Sequence, residues 1–214
     1  MCISASEKIR SIAVSNLRHN FLPHFILSVL LLLLTPFVFG TANVDAKTAA
    51  VPLEMFVSLI GIIILTPVFL PEQSGSVRDV VESKATASVF VYSIRIGIAL
   101  LSMLALIAAF VLYMKGNGCT VSLVSAVFGT FSSSIFLGAL GLFIYGISDT
   151  LIVGYMAPMV YYMLNLFGGK KYFGKLYLFS MSSGNMSDKY WLISVGIVLI
   201  LSVLLIKSKS VHRQ

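Results

Sequence analysis

Side chains able to do chemistry are scarce in this chain. The three histidines, His19, His24 and His212, lie near its two ends. No later apolar segment offers a histidine to activate a serine, and no carboxylate pair or metal cluster falls within the apolar runs. A phosphate-binding Gly-x-x-x-x-Gly-Lys-[Ser/Thr] loop is missing, since Gly168-Gly169-Lys170-Lys171 lacks both the loop and the hydroxyl residue. No catalytic site is expected. The informative residues instead form a polar interval, 71–88, which begins Pro71-Glu72-Gln73-Ser74-Gly75-Ser76-Val77-Arg78-Asp79-Val80-Val81-Glu82-Ser83-Lys84. Pro71 stops the preceding apolar run and Gly75 allows a tight turn. Ser76 and Asp79 make a capping-box-like pair, with Asp in place of the preferred Glu or Gln, and Asp79 suits the positive end of the helix dipole. Val77, Val80, Val81 and Lys84 share one face, while Arg78 and Glu82 pair on the other. The pattern is a short capped helix that either rests on headgroups or docks into a groove.

What positions this interval is a series of apolar runs. The chain is 58% hydrophobic and only 11% charged, where soluble domains carry roughly 25% charged residues. Six runs are long enough to cross a bilayer: Phe21–Phe39, Val51–Leu70, Val89–Tyr113, Val121–Ile147, Thr150–Phe167 and Trp191–Ile206. Backbone groups in lipid must be satisfied internally, so the runs are expected to be helices, giving one all-α polytopic membrane domain over residues 1–214. The net charge of +7 is scattered among connectors rather than gathered in a stripe, which argues against nucleic acid and for a bilayer surface. The first run resembles a signal peptide followed by Gly40-Thr41-Ala42, but the arm before it is too long and too organised, so it is read as a span.

Six spans put both termini on one side. With that side cytoplasmic, the inner basic residues are Lys8, Arg10, Arg18, Arg78, Lys84, Arg95, Lys207, Lys209 and Arg213. The outer ones are Lys47, Lys115, Lys170, Lys171, Lys175 and Lys189. The excess agrees with the positive-inside rule and predicts a multi-pass cell-membrane protein with both termini inside. Cys2 and Cys119 then face opposite sides, which excludes a disulfide between them. Spans four and five are joined by the tight turn 147–150. The long outer segment 168–190 is semi-apolar and is expected to fold into the outer leaflet or onto the spans.

Residues 1–20 read as an interfacial amphipathic helix. Ser4 and Glu7 fit a capping box; Ala5, Ile9, Ile12, Ala13 and Leu17 share one face, and Glu7, Lys8, Ser11, Ser15 and Arg18 the other. It serves as an anchor, or as an elbow that moves with the first span. Within the spans, Arg95 is expected to snorkel to the inner interface and Glu54 to sit at headgroup level. Asp149 is expected to cap span five through Thr150, and Tyr190 and Trp191 to form an interface belt. Gly129 with Ser133, and Ser134 with Gly138, are small-residue pairs suited to close helix packing, with a polar cargo path along 130–134 as the alternative. Pro158 is expected to kink span five.

Taken together, an amphipathic arm, six spans, a helical inner loop after span two, a tight hairpin of spans four and five, and a long outer segment before span six resemble the permease subunits of ABC type-2 exporters. The loop's Glu72, Gly75 and Ser76 match that family's E-x-x-G-[ST] spacing, while Gln73 and Val77 depart from its usual residues. The resemblance implies that Glu72, Gly75, Ser76, Val77, Arg78, Asp79, Val80 and Val81 form a cytoplasmic coupling helix seated on a separate ATP-binding subunit. The arm with Ile9, Ile12 and Leu17 would run along that subunit. It also implies a re-entrant-like extracellular segment at 168–190, ATP and Mg bound only by the partner, a second copy or a paired permease to complete the pore, and gating near Pro158. The cargo would be hydrophobic or amphipathic: a peptide, an antibiotic or a lipid-like compound. The competing classes are an ion-coupled secondary transporter, disfavoured because the centres of the apolar runs are empty of Asp, Glu, Lys and Arg, and a non-transporting assembly or sensor subunit.

Overall fold

Apolar runs separated by short polar breaks can satisfy their backbones in lipid only as helices. The computed structural model, which describes residues 21–73 and 88–211, is all-helical among the described residues, with six candidate spans. The interfacial arm 1–20 and the coupling-loop residues 74–87 lie outside the described residues. Span one is α1 (Leu22–Phe39), with a proline in its first turn and a stop at Gly40, whose φ of 62° ends the helix. Span three is α4 (Ser88–Gly116), span four α5 (Leu123–Ser148), span five α6 (Leu151–Phe173) with a 3-10 turn Gly174–Leu176, and span six α7 (Ser187–Val211).

Span two is not one continuous helix. It is α2 (Ala46–Met55), a 3-10 turn Val57–Leu59, α3 (Ile60–Leu65) and a 3-10 stretch Thr66–Gln73. Pro67 and Pro71 lack the amides that would continue an α ladder, which suits the tighter winding of the second 3-10 stretch. The described backbone thus carries helical winding past Pro71, where the sequence suggested a stop.

Spans two and four form the middle of the bundle, 72% and 67% buried, whereas spans one and five are 17% and 22% buried and face outward. Small residues set this packing. A Cβ on Gly61 of α3 would run into the Ser134 carbonyl of α5. One on Gly138 would stand 2.5 Å from the Gly61 carbonyl oxygen and 2.8 Å from the Leu65 Cβ. Gly141 of α5 meets Gly154 of α6 in the same way, at 3.0 Å from the Gly154 oxygen. The Ser134–Gly138 pair therefore does what small-residue pairs do, bringing backbones close enough for dense dispersion contact.

The bundle has two ends. At one, α5 stops at Asp149, a left-handed residue (φ 49°, ψ 17°), and the chain turns directly into α6. Thr150, the N-cap residue of span five, makes no side-chain capping bond, and the Asp149 carboxylate takes the Lys207 ammonium of α7 at 2.6 Å. We call this the hairpin end. At the opposite, cap end, the connector 40–45 lies along the connector 117–122, with the Asn43 amide on the Asn117 carbonyl at 3.0 Å and the buried Cys119 thiol on the Thr41 carbonyl at 3.0 Å. The chain between α6 and α7 folds back over this end.

Candidate functional site

The segment 177–186 carries Leu178, Phe179 and Ser180, all buried. A non-helical segment at such a depth must have its amides and carbonyls satisfied by protein. Part of the satisfaction is local. The Gly184 amide bonds the Met181 carbonyl and the Asn185 amide the Ser180 carbonyl, both at 2.9 Å. The Ser182 and Ser183 hydroxyls bond the Phe179 and Ser180 carbonyls, also at 2.9 Å. Span five supplies a second set: Asn165 accepts the Leu178 amide at 3.1 Å, and the Tyr161 hydroxyl donates to the Leu176 carbonyl at 2.7 Å. The neighbouring Tyr162 hydroxyl donates to Met55 at the end of α2, at 2.6 Å.

The third set is ionic. Glu54, on α2, and Lys189, in the first turn of α7, are both fully buried and meet at 2.6 Å. Glu54 Oε1 also accepts the Met181 amide at 2.7 Å, and Oε2 accepts the Ser182 amide at 2.9 Å. The Lys189 ammonium donates as well to the Ser133 hydroxyl of α5 at 2.7 Å and to the Leu178 carbonyl at 2.5 Å. Every ammonium proton has an acceptor and both carboxylate oxygens are in use. A buried pair is tolerable only when its remaining valences are filled in this way. Spans two, four and six are thereby tied to one segment.

Nearby groups extend the arrangement outward. Lys170 pairs with Asp188 at 2.7 Å, and Asp188 also accepts from the Asn185 amide group. Lys175 lies 4.7 Å from the Trp191 ring, and Tyr190 and Trp191 are exposed, as an interface belt requires. Burial, then the Glu54 carboxylate, push the Tyr177 hydroxyl up against the opposing pull of Lys170, so it stays neutral at ordinary pH.

Several expectations change here. Glu54 lies deeper than the start of its span: α2 begins at Ala46, more than two turns earlier, and the side chain is fully buried. Lys189 is not a free connector charge, because α7 begins at Ser187 rather than at Trp191. The Gly129–Ser133 pair faces both span six, where a Cβ on Gly129 would stand 3.8 Å from Lys189 Cε, and the connector. A Cβ at Gly129 would meet Met181 Sδ at 2.8 Å, and Ser133 binds Lys189, so the pair makes room for the segment. Arg95 is 7% exposed within the bundle. Pro158 is buried in α6, beside Gly141, and the break in that helix's dihedral angles falls at Gly169 (φ 66°, ψ 179°).

The expected coupling residues Gly75, Ser76, Val77, Arg78, Asp79, Val80 and Val81, and the arm residues Ile9, Ile12 and Leu17, lie outside the described residues. Glu72 lies in the backbone of the 3-10 stretch Thr66–Gln73. Among the described residues no three His, Cys, Asp or Glu side chains gather to hold a metal. The buried pair is the feature sequence reasoning missed. Its signal was present: a lone acid inside one apolar run and a lysine at the start of another, at the same end.

Fold and site together define a multi-pass, all-helical membrane protein whose connector between spans five and six is locked to its interior by a buried ion pair. No family model, curated protein or solved structure matches this chain.

Proposed function

We propose that this chain is the membrane-spanning permease subunit of an ATP-driven exporter of the ABC type-2 kind. The observation that carries the reading is the opposition of two unlike ends. The polar interval with Glu72-x-x-Gly75-Ser76 joins spans two and three, and the span residues flanking it pack near the hairpin end, with Phe69 5.2 Å from Tyr92 and 6.2 Å from Tyr145. The folded segment covers the other end. An exporter needs this division, with an energy input on one side and a covered exit on the other.

In this reading the protein sits in the cell membrane with both termini in the cytoplasm. Val77–Val81 and the arm 1–20 contact a separate ATPase subunit, which binds ATP and Mg. A second copy or a paired permease completes the pathway, and a hydrophobic or amphipathic cargo leaves at the cap end by alternating access. The test is a gentle-detergent pull-down of tagged protein from its native membranes. A stoichiometric ATPase subunit, lost when Val77, Val80 and Val81 are changed to Asp, supports the reading; a solitary protein overturns it.

A second reading, an ion-coupled carrier, gains from the buried Glu54–Lys189 pair, since ionisable groups inside spans often serve ion coupling. The engagement of both partners weighs against it, because Oε1 already takes Lys189 and the Met181 amide, and Oε2 the Ser182 amide. Cargo uptake driven by an imposed ion gradient, in vesicles lacking any ATPase, would favour the carrier instead.

A further inference from the structure

We propose that the Met181 and Ser182 amides, the Lys189 ammonium and the Ser133 hydroxyl form an anion cradle. Glu54 is its exchangeable internal ligand, and the external ligand it takes is a carboxylate.

Most of the bonds that shape the cradle do not involve Glu54. Of the three contacts made by Lys189 Nζ, those to Ser133 Oγ and the Leu178 carbonyl do not involve the carboxylate. The turn that aims the two amides is closed by its own bonds, from Gly184 to Met181, Asn185 to Ser180, Ser182 to Phe179 and Ser183 to Ser180. Successive amides of a turn form a concavity for anions, and a buried ammonium beside them supplies the charge. In the same turn, Ser180 carries a fully buried hydroxyl with no partner among the described residues.

The resident group, by contrast, is on a different element from the cradle. Glu54 lies at the end of the ten-residue α2, and the ladder that would join α2 to α3 is interrupted by the 3-10 turn Val57–Leu59. Moving α2 would break the Tyr162 bond to the Met55 carbonyl and uncover Ala49, Ala50 and Leu53, while α3 stays packed against α5. The chemistry selects the ligand. The two oxygens of Glu54 divide between adjacent amides, Oε1 on Met181 and Oε2 on Ser182, with the ammonium on Oε1. That two-point, planar pattern fits a carboxylate and leaves a spherical anion one amide short.

This extension rests on the exporter reading for its biological meaning: a carboxylate on the cargo would displace Glu54 and release the segment from α2. The cradle itself is tested without transport. Full-length Glu54→Ala and Glu54→Gln proteins, in nanodiscs at constant ionic strength, are titrated with formate, laurate or chloride. Amide exchange of the 178–186 peptide and the unfolding temperature are followed. Gln is a neutral and poorer ligand, so a carboxylate should also act on the isosteric variant, which keeps the test alive if Glu54→Ala does not fold.

The expected result is a saturable, about tenfold slowing of exchange at ten times the dissociation constant, absent when Lys189→Gln is added to either variant. Action of formate assigns a water-borne ligand, and action of laurate at lower concentration assigns a bilayer-borne one; both support the cradle. Formate and laurate effects no larger than chloride's, or unchanged by Lys189→Gln, overturn it. That failure would leave the exporter reading standing, because the pull-down does not depend on Glu54.

Discussion

At each end of the bundle a lysine of span six holds a carboxylate, and the two pairs differ in almost everything except their chemistry. At the cap end, Lys189 and Glu54 are 0% exposed; at the hairpin end, Lys207 and Asp149 are 17% and 78% exposed, yet each pair closes at 2.6 Å. Water screens the second pair and offers both partners an alternative. It offers the first pair none, so separating Glu54 from Lys189 strands a charge in the interior. Distance alone therefore says nothing about what an ion pair does. The buried pair specifies where a long connector must sit, whereas the exposed one trims the end of a turn that Asp149 has already made.

The comparison can be broken most severely at Lys189. Replacing it with Met, or Glu54 with Ala, should cost about 3–5 kcal/mol, read as a large drop in unfolding midpoint in detergent and a loss of folded yield. The interior between the ends comes next. Gly61→Leu forces a side chain into the Ser134 carbonyl and should cost at least about 1–3 kcal/mol as α3 and α5 separate; the same assay measures it. Lys207→Gln should cost no more than about 1 kcal/mol, and the difference should shrink in high salt. The smallest effect belongs to Asp45, whose carboxyl is held below its usual value first by the Thr48 hydroxyl. A depressed carboxylate stabilises the fold above its unfolded pKa and loses that contribution as pH falls. Thr48→Ala should therefore differ from the parent at neutral pH and converge with it in acid, as seen in unfolding midpoints across a pH series.

The two ends also differ in how legible they were. The spans follow from hydropathy because lipid leaves a long apolar run only one way to satisfy its backbone, and the tight turn 147–150 follows from the gap between two such runs. The cap does not follow from hydropathy. Ala46-Lys47-Thr48-Ala49-Ala50 is too polar to register as membrane, so the apolar window opens at Val51, about one and a half turns late, and puts Glu54 near its outer edge. The same bias set the start of span six at Trp191 and left Lys189 in the connector. Helices run on past the apolar window wherever tertiary partners satisfy their polar residues, and Glu54 and Lys189 are each other's partner across more than a hundred residues of chain. Ser133 was read as a packing residue because its role depends on a lysine that sequence spacing cannot bring to it. Conversely, the Ser134–Gly138 spacing was sufficient, since close backbone approach needs only small side chains at the right period.

The central claim is that burial makes the cap-end pair a specifying element and leaves the hairpin-end pair incidental. The most direct measurement is a pair of double-mutant cycles on the full chain, Glu54→Gln with Lys189→Gln and Asp149→Asn with Lys207→Gln, by equilibrium unfolding in one detergent. We predict a coupling energy of about 2–3 kcal/mol for the first pair and about 0.5 kcal/mol or less for the second. Equal couplings, or a larger one at the hairpin end, would contradict the account.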